Sequence, residues 1–269
     1  MTRYAANLSM LFTDHPFLER PAAAAAAGFG AVECWWPFPA AVPADRDVDA
    51  FVSAVTDAGV RLVGLNFAAG DLPAGDRGLL SWPARSKEFG DNIDVTVGIA
   101  ERLGCRAFNA LYGNRIEGVD PAEQDELATE NLALAGRAAA RIGGVALMEP
   151  CSGAPRYPLL RAADAVAVLD RVREQDGPEL GLLCDVYHLA VNGDDVDAVI
   201  ERYGDRIAHV QVADNPGRGE PGSGQLPLTR WLEKLTGQGY AGWVGLEYKP
   251  TGGDTEQSLQ WLPPAQRAA

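Results

Sequence analysis

Eight times along this chain a short apolar run gives way to a segment of helical spacing, and no linker or low-complexity stretch interrupts the alternation. The strand candidates are Tyr4–Asn7, Ala31–Trp35, Arg61–Asn66, Arg106–Ala110, Val145–Glu149, Leu180–Asp185, Arg206–Ala213 and Trp243–Glu247. Helices are predicted over Phe17–Ala27, Val48–Ala58 and Ala84–Leu103, stopped by Gly28, Gly59 and Gly104. Asp120-Pro121 followed by Glu123 reads as an N-cap, a first-turn proline and a capping-box acid, opening a helix to about Arg141. Further helices are expected through Ala165, Val168, Leu169 and Val172, over Val196–Tyr203 and Leu228–Leu235, and from Asp254 with Gln257 through Leu262. Regular βα alternation implies a parallel sheet. Eight units in 269 residues is the size of a closed barrel. An open doubly wound sheet would usually show a phosphate-binding glycine pattern after its first strand, and none is present. The expectation is a single (β/α)8 TIM barrel domain over residues 1–269.

In such a barrel the C-terminal strand ends open onto the active-site face. Four late strands end in oxygen-bearing side chains: Glu149, Asp185, Gln211 and Glu247. Each alone would be one acid or amide among many, but four at the same topological position predict a shared site. Three carboxylates that close repel unless a cation neutralises them. All-oxygen ligation favours a hard divalent ion, Mg²⁺ or Mn²⁺, over Zn²⁺. His188 follows Asp185 closely and can turn back over the site, or be structural. Arg218, in the polar loop after the seventh strand, is either a carboxylate-binding fork or a solvated loop arginine. Lys249 could add positive charge near Glu247. His209 shares a strand face with Gln211 but lies deeper, and reads as a satisfied interior histidine. Cys151 and Cys184 read as buried filler rather than nucleophiles. Trp35, Trp36 and Phe38 could roof the pocket or pack on helices.

The net charge of -14 argues against a nucleic-acid partner. No secretory leader and no apolar run of membrane-spanning length is seen, and four scattered cysteines suit a reduced, cytoplasmic protein. The partner expected is a small-molecule keto acid or sugar. Aromatics around Trp35 would suit a homodimer interface.

At these residues the sequence resembles the hydroxypyruvate isomerase family of the xylose-isomerase-like barrels. The resemblance is carried by AANLSMLF at Ala5–Phe12, NFAAGDL at Asn66–Leu72, MEP at Met148–Pro150, CDVYH at Cys184–His188, HVQVADNPGRGEPGSG at His209–Gly224 and GWVGLEYKP at Gly242–Pro250. It implies a divalent metal held by Glu149, Asp185, Gln211 and Glu247, with Glu149 and Glu247 as the acid–base pair. It implies interconversion of hydroxypyruvate and tartronate semialdehyde through an enediolate. Within the motifs that carry it, Asn7, Asn66, His188, Arg218, Glu220 and Lys249 are the substrate-binding candidates. One departure concerns specificity: where the family reads Glu-Pro-x-Asn, this chain reads EPCSGAPRYPLL, with Ser152 at the asparagine position and a loop about two residues shorter. An isomerase or epimerase of a related short-chain sugar acid or ketose is the alternative; epimerases more often carry histidine where this chain has Gln211. A multi-zinc endonuclease would need more than the three histidines present. A non-catalytic sugar-acid-binding barrel would dispense with the metal.

Overall fold

The computed structural model describes residues 2–268. Among them, eight parallel strands close into a barrel in sequence order: β1 (Arg3–Asn7), β2 (Ala31–Cys34), β3 (Arg61–Asn66), β4 (Ala107–Asn109), β5 (Val145–Met148), β6 (Leu180–Asp185), β7 (Ile207–Val212) and β8 (Trp243–Leu246). Closure is made by β8 against β1, with Arg3 beside Trp243 and Ala6 beside Leu246. The strands are almost wholly buried, as expected where both faces of a parallel sheet are covered.

The outer layer begins with α1 (Arg20–Ala26), α2 (Asp45–Ala58), α3 (Ser86–Leu103) and α4 (Pro121–Ala140). Gly59 and Gly104 end α2 and α3 in the left-handed conformation, at φ 70° and 73°, which glycine adopts without a Cβ penalty. The layer continues with α5 (Ala162–Glu174), α6 (Val186–Val191), α7 (Val196–Tyr203), α8 (Leu228–Gly237) and α9 (Thr255–Ser258).

Four local readings are corrected. The expected capping box at Asp120 is half formed: Asp120 accepts from the Ala122 N–H, without the reciprocal Glu123 contact among the described residues. The helix expected from Ala84 opens as a 3-10 turn over Pro83–Arg85 and becomes α-helical at Ser86. The last helix does not reach Leu262. Asp254 does cap it, through the Gln257 N–H, but regular structure stops at Ser258, and Pro263 disfavours helical backbone at Leu262. The helix α6 is not anticipated by the sequence reading. It starts directly on the end of β6, with Asp185 as its N-cap accepting from the Tyr187 and His188 N–H groups.

That N-cap matters for the site. Capping occupies Asp185 Oδ1, at 2.9 Å from the Tyr187 nitrogen and 3.3 Å from that of His188, and leaves Oδ2 for other work. It also sets the His188 ring one helical turn above the Asp185 carboxylate, with Nε2 at 3.6 Å from Oδ2.

Candidate active site

Glu149, Asp185, Gln211 and Glu247 are all buried at the C-terminal mouth of the barrel. One oxygen each of Asp185 and Glu247 and a ring nitrogen of His188 lie within 4.8 Å of one another. Glu149 joins from β5, with Oε1 at 3.9 Å from His188 Nε2. Gln211 joins from β7, its Nε2 donating to Glu247 Oε2 at 2.6 Å.

The two glutamates are held differently. Glu247 Oε2 accepts from Asn7 Nδ2 at 3.0 Å, Trp35 Nε1 at 3.3 Å and Gln211 Nε2, while Oε1 pairs with the Arg218 guanidinium. Glu149 Oε2 accepts a 2.6 Å bond from Asn109 Nδ2, and its main-chain carbonyl accepts from the Tyr157 hydroxyl. Burial, with Glu247 and Asp185 nearby, pushes the Glu149 carboxyl well above the usual range. Burial also pushes Glu247 up, to about 8, against the pull of Arg218. Arg218 is driven the other way: burial opposes its charge, but Glu247, Asp185 and Glu149 outweigh burial and keep it charged.

His188 faces a donor on each ring nitrogen. The Ser152 N–H donates to Nδ1 at 3.1 Å, with the Ser152 hydroxyl also at 2.7 Å, and Arg218 Nη2 approaches Nε2 at 3.2 Å. Burial pushes the ring down to about 4, Asp185 opposing and Arg218 and Arg77 assisting. His188 is therefore a neutral imidazole at ordinary pH.

Beneath this layer Glu33 crosses the barrel interior. Its Oε2 lies 2.6 Å from His209 Nε2, and its Oε1 accepts from Asn7 Nδ2 and Gln211 Nε2 at 2.9 and 2.8 Å. Burial raises the Glu33 carboxyl, but the His209 contact and these donors hold it below its usual value. His209 is thus the satisfied interior histidine expected from its place below Gln211. The Gln211 amide nitrogen is committed to two glutamates, which fixes the amide so that Oε1 is its free end.

A divalent cation suits this donor set. Asp185 Oδ2 and Gln211 Oε1 are buried acceptors with no hydrogen-bond partner among the described residues. Such orphaned oxygens are costly unless a cation claims them. Together with two buried glutamates they form the hard-oxygen set that Mg²⁺ or Mn²⁺ takes.

The other candidates divide. Asn7 and Arg218 reach the cluster directly. Asn66 is buried at the end of β3, in register with Asn109. Glu220 is claimed elsewhere: its carboxylate accepts from the Thr251 N–H and hydroxyl at 3.0 and 2.7 Å, tying together the loops after β7 and β8. Lys249 has an exposed side chain, and its N–H donates to the Arg218 carbonyl at 2.8 Å. Trp35 touches Glu247, whereas Trp36 packs on Phe38, which packs in turn on Phe51. Cys151 and Cys184 are buried thiols, raised by desolvation. Sequence reasoning passed over Glu33, Asn109 and Asp214; it named Trp35 only as one of three aromatics that could roof the pocket, and Ser152 only as a departure from the family pattern. Asn109 was within reach, because it ends β4 as Gln211 nearly ends β7.

The profile of the xylose isomerase-like TIM barrel family matches residues 21–265. A Streptomyces coelicolor protein, provisionally named a hydroxypyruvate isomerase, is 57% identical across 99% of this chain and 98% of its own. The Escherichia coli hydroxypyruvate isomerase is 32% identical over 98% of this chain and 99% of its own. A Cupriavidus necator 2-oxo-tetronate isomerase is 37% identical over 98% of each. A Brucella melitensis crystal structure titled AP endonuclease, family 2 superposes with a TM-score of 0.88 at 36% identity, covering 98% of this chain and 99% of that one.

Proposed function

The chain belongs to the xylose isomerase-like TIM barrel family, among relatives that include hydroxypyruvate isomerases, and from that premise we propose that it isomerises a small hydroxy-keto acid, with hydroxypyruvate and tartronate semialdehyde as the first pair to test. The observation that carries the reading is the pair of buried glutamates, Glu149 just past the end of β5 and Glu247 just past the end of β8, flanking in strand order the Asp185 and Gln211 oxygens that lack a partner among the described residues. Moving a hydrogen between adjacent carbons needs two such groups. One carboxylate takes the proton from the hydroxymethyl carbon and leaves an enediolate. The other glutamate, carrying a proton, delivers it to the neighbouring carbon, and the hydroxyl proton passes between the two oxygens. No atom is gained or lost.

A divalent ion held by Glu149, Asp185, Gln211 and Glu247 supplies Lewis-acid polarisation of the substrate's carbonyl and hydroxyl oxygens when bound. His188, a neutral imidazole, orients a substrate oxygen. Arg218 Nε is buried without an acceptor among the described residues, which supports a role for it in receiving the substrate carboxylate.

The four-carbon acid 2-oxo-tetronate is the second substrate to test, because of the relative so named and the altered Cys151–Pro158 segment. An endonuclease reading sits badly with a net charge of -14 and three histidines. The experiment is proton–deuterium exchange followed by NMR in D₂O with Mn²⁺ or Mg²⁺. Metal-dependent exchange and isomer formation on hydroxypyruvate support the full proposal. Exchange on 2-oxo-tetronate alone keeps the mechanism and changes the substrate. No exchange on either acid, with folded and metal-loaded protein, rejects the isomerase reading for this substrate class.

A further inference from the structure

Arg218 is bound to oxygens that the proposed metal also needs. Its Nη2 pairs with Glu247 Oε1 and lies 3.6 Å from Asp185 Oδ2. A guanidinium and a divalent ion cannot both neutralise those two oxygens in full, so each weakens the other's hold.

Three features mark this placement of the guanidinium as one of two. First, Nε is buried with no acceptor among the described residues, so one edge of the fork is unsatisfied. Second, Nη2 sits 3.2 Å from His188 Nε2 while the Ser152 N–H points at Nδ1. An imidazole carries at least one N–H in either protonation state, so at least one of these two donors meets an N–H instead of a lone pair. Third, the fork lies over the Tyr187 ring at 5.4 Å, a face along which it can slide without losing its aromatic contact.

The main chain beneath is fixed. Arg218 holds φ at 57°, in the left-handed region that a residue with a Cβ adopts at a cost. Its carbonyl accepts from Lys249 N–H, and Asp214 accepts from the N–H groups of Asn215, Gly222 and Leu226 around the loop. The loop therefore presents the side chain from a set point, and only the side-chain torsions are free.

We infer that Arg218 couples carboxylate recognition to cation binding: the guanidinium and the divalent ion compete for Glu247 and Asp185, and a substrate carboxylate that draws the fork away releases those oxygens to the ion. The inference rests on the metal-dependent reading of the site. It goes beyond a simple carboxylate clamp, because it assigns the arginine a measurable effect on metal affinity with no substrate present. It also gives the site a reason to prefer acids over neutral sugars of the same length, since a neutral sugar offers the fork nothing that would draw it off Glu247.

The test is calorimetric titration of the whole protein with Mn²⁺ alone. Arg218→Gln is expected to bind Mn²⁺ about 5- to 150-fold more tightly than wild type, the usual span of a coupling between two sites. Equal or weaker binding by the variant overturns the inference. Because removing a buried cation could impair folding, the wild-type protein supplies a second measurement. The Arg218 Nε–H resonance, identified by its loss in Arg218→Lys, is followed by NMR as Mg²⁺ is added. A Mg²⁺-dependent shift of that resonance is expected, and an Arg218 signal indifferent to saturating Mg²⁺ overturns the inference. If wild type binds neither ion, the metal reading itself fails, which is a different result from Mn²⁺ binding that ignores Arg218.

Discussion

Glu33 Oε2 lies 2.6 Å from His209 Nε2, and the other oxygen of the same carboxylate holds the Gln211 amide nitrogen at 2.8 Å. The proposed catalytic layer therefore stands on the Glu33 carboxylate. Gln211 can present its carbonyl oxygen upward only because Glu33 and Glu247 both claim its nitrogen.

Glu33→Gln should loosen that arrangement. The substituted amide keeps the shape but offers one acceptor oxygen where two were used, so Gln211 is free to turn its nitrogen upward. Partners behind metal ligands are typically worth 10- to 100-fold in metal affinity. We expect Mn²⁺ affinity to fall by roughly that factor, measured by calorimetry, with the barrel still folded by circular dichroism. Unchanged affinity would remove Gln211 orientation from the account of the site.

Asn109→Ala tests the support of the other glutamate. It removes the 2.6 Å bond to Glu149 Oε2, the side-chain donor within hydrogen-bond distance of that carboxylate. A hydrogen bond to a charged group contributes about 1.5–3 kcal/mol. We expect kcat to fall by roughly 10- to 100-fold with a smaller change in KM, read from steady-state rates on whichever acid the exchange experiment identifies.

The barrel was legible because its signals are local and repeated. Each strand is a short, mostly apolar run, and helix ends such as those at Gly59 and Gly104 are marked by residues that tolerate positive φ. Glu149, Asp185, Gln211 and Glu247 were legible because one rule, polarity at a strand's C-terminal end, applies to all four. Glu33 stands one residue from the end of β2, as Gln211 does in β7, so the same rule reaches its position but not its partner: only closure of the barrel brings it against His209, 176 positions away. The helix α6 spans six residues, too few for a 3.6-residue period to show. The inward course of Arg218 depends on a left-handed backbone and on the loop hydrogen bonds that Asp214, four residues away, accepts; residue types alone show neither.

Asp214→Ala addresses that dependence. The carboxylate accepts from three main-chain N–H groups, those of Asn215, Gly222 and Leu226, and so closes the loop that carries Arg218. These donors are only partly buried and Gly222 is exposed, so each lost bond costs less than the about 1–3 kcal/mol of a fully buried donor. We expect KM for a carboxylate substrate to rise more than kcat falls, with faster proteolytic cleavage between residues 215 and 226. A loop as resistant as wild type would show that the Thr251 contacts to Glu220 suffice to hold it.

Gly245 and Gly64 both flank Glu33, and they should differ sharply in tolerance. A Cβ on Gly64 would stand 3.2 Å from the Glu33 Cβ, a contact that a shift of a few tenths of an ångström relieves. A Cβ on Gly245 would stand 2.5 Å from the Glu33 carboxyl carbon. The end of a glutamate would ordinarily swing aside, but this one is pinned by His209, Gln211 and Asn7. Gly245→Ala must therefore break that floor or deform β8, whose next residue but one is Glu247. Overpacking of this kind costs about 1–3 kcal/mol, and the lost hydrogen bonds add to it. We expect Gly245→Ala to lower both thermal stability and Mn²⁺ affinity, while Gly64→Ala loses less of each. Equal tolerance at the two positions, in paired melting and titration experiments, would mean that Glu33 is not held in place from below.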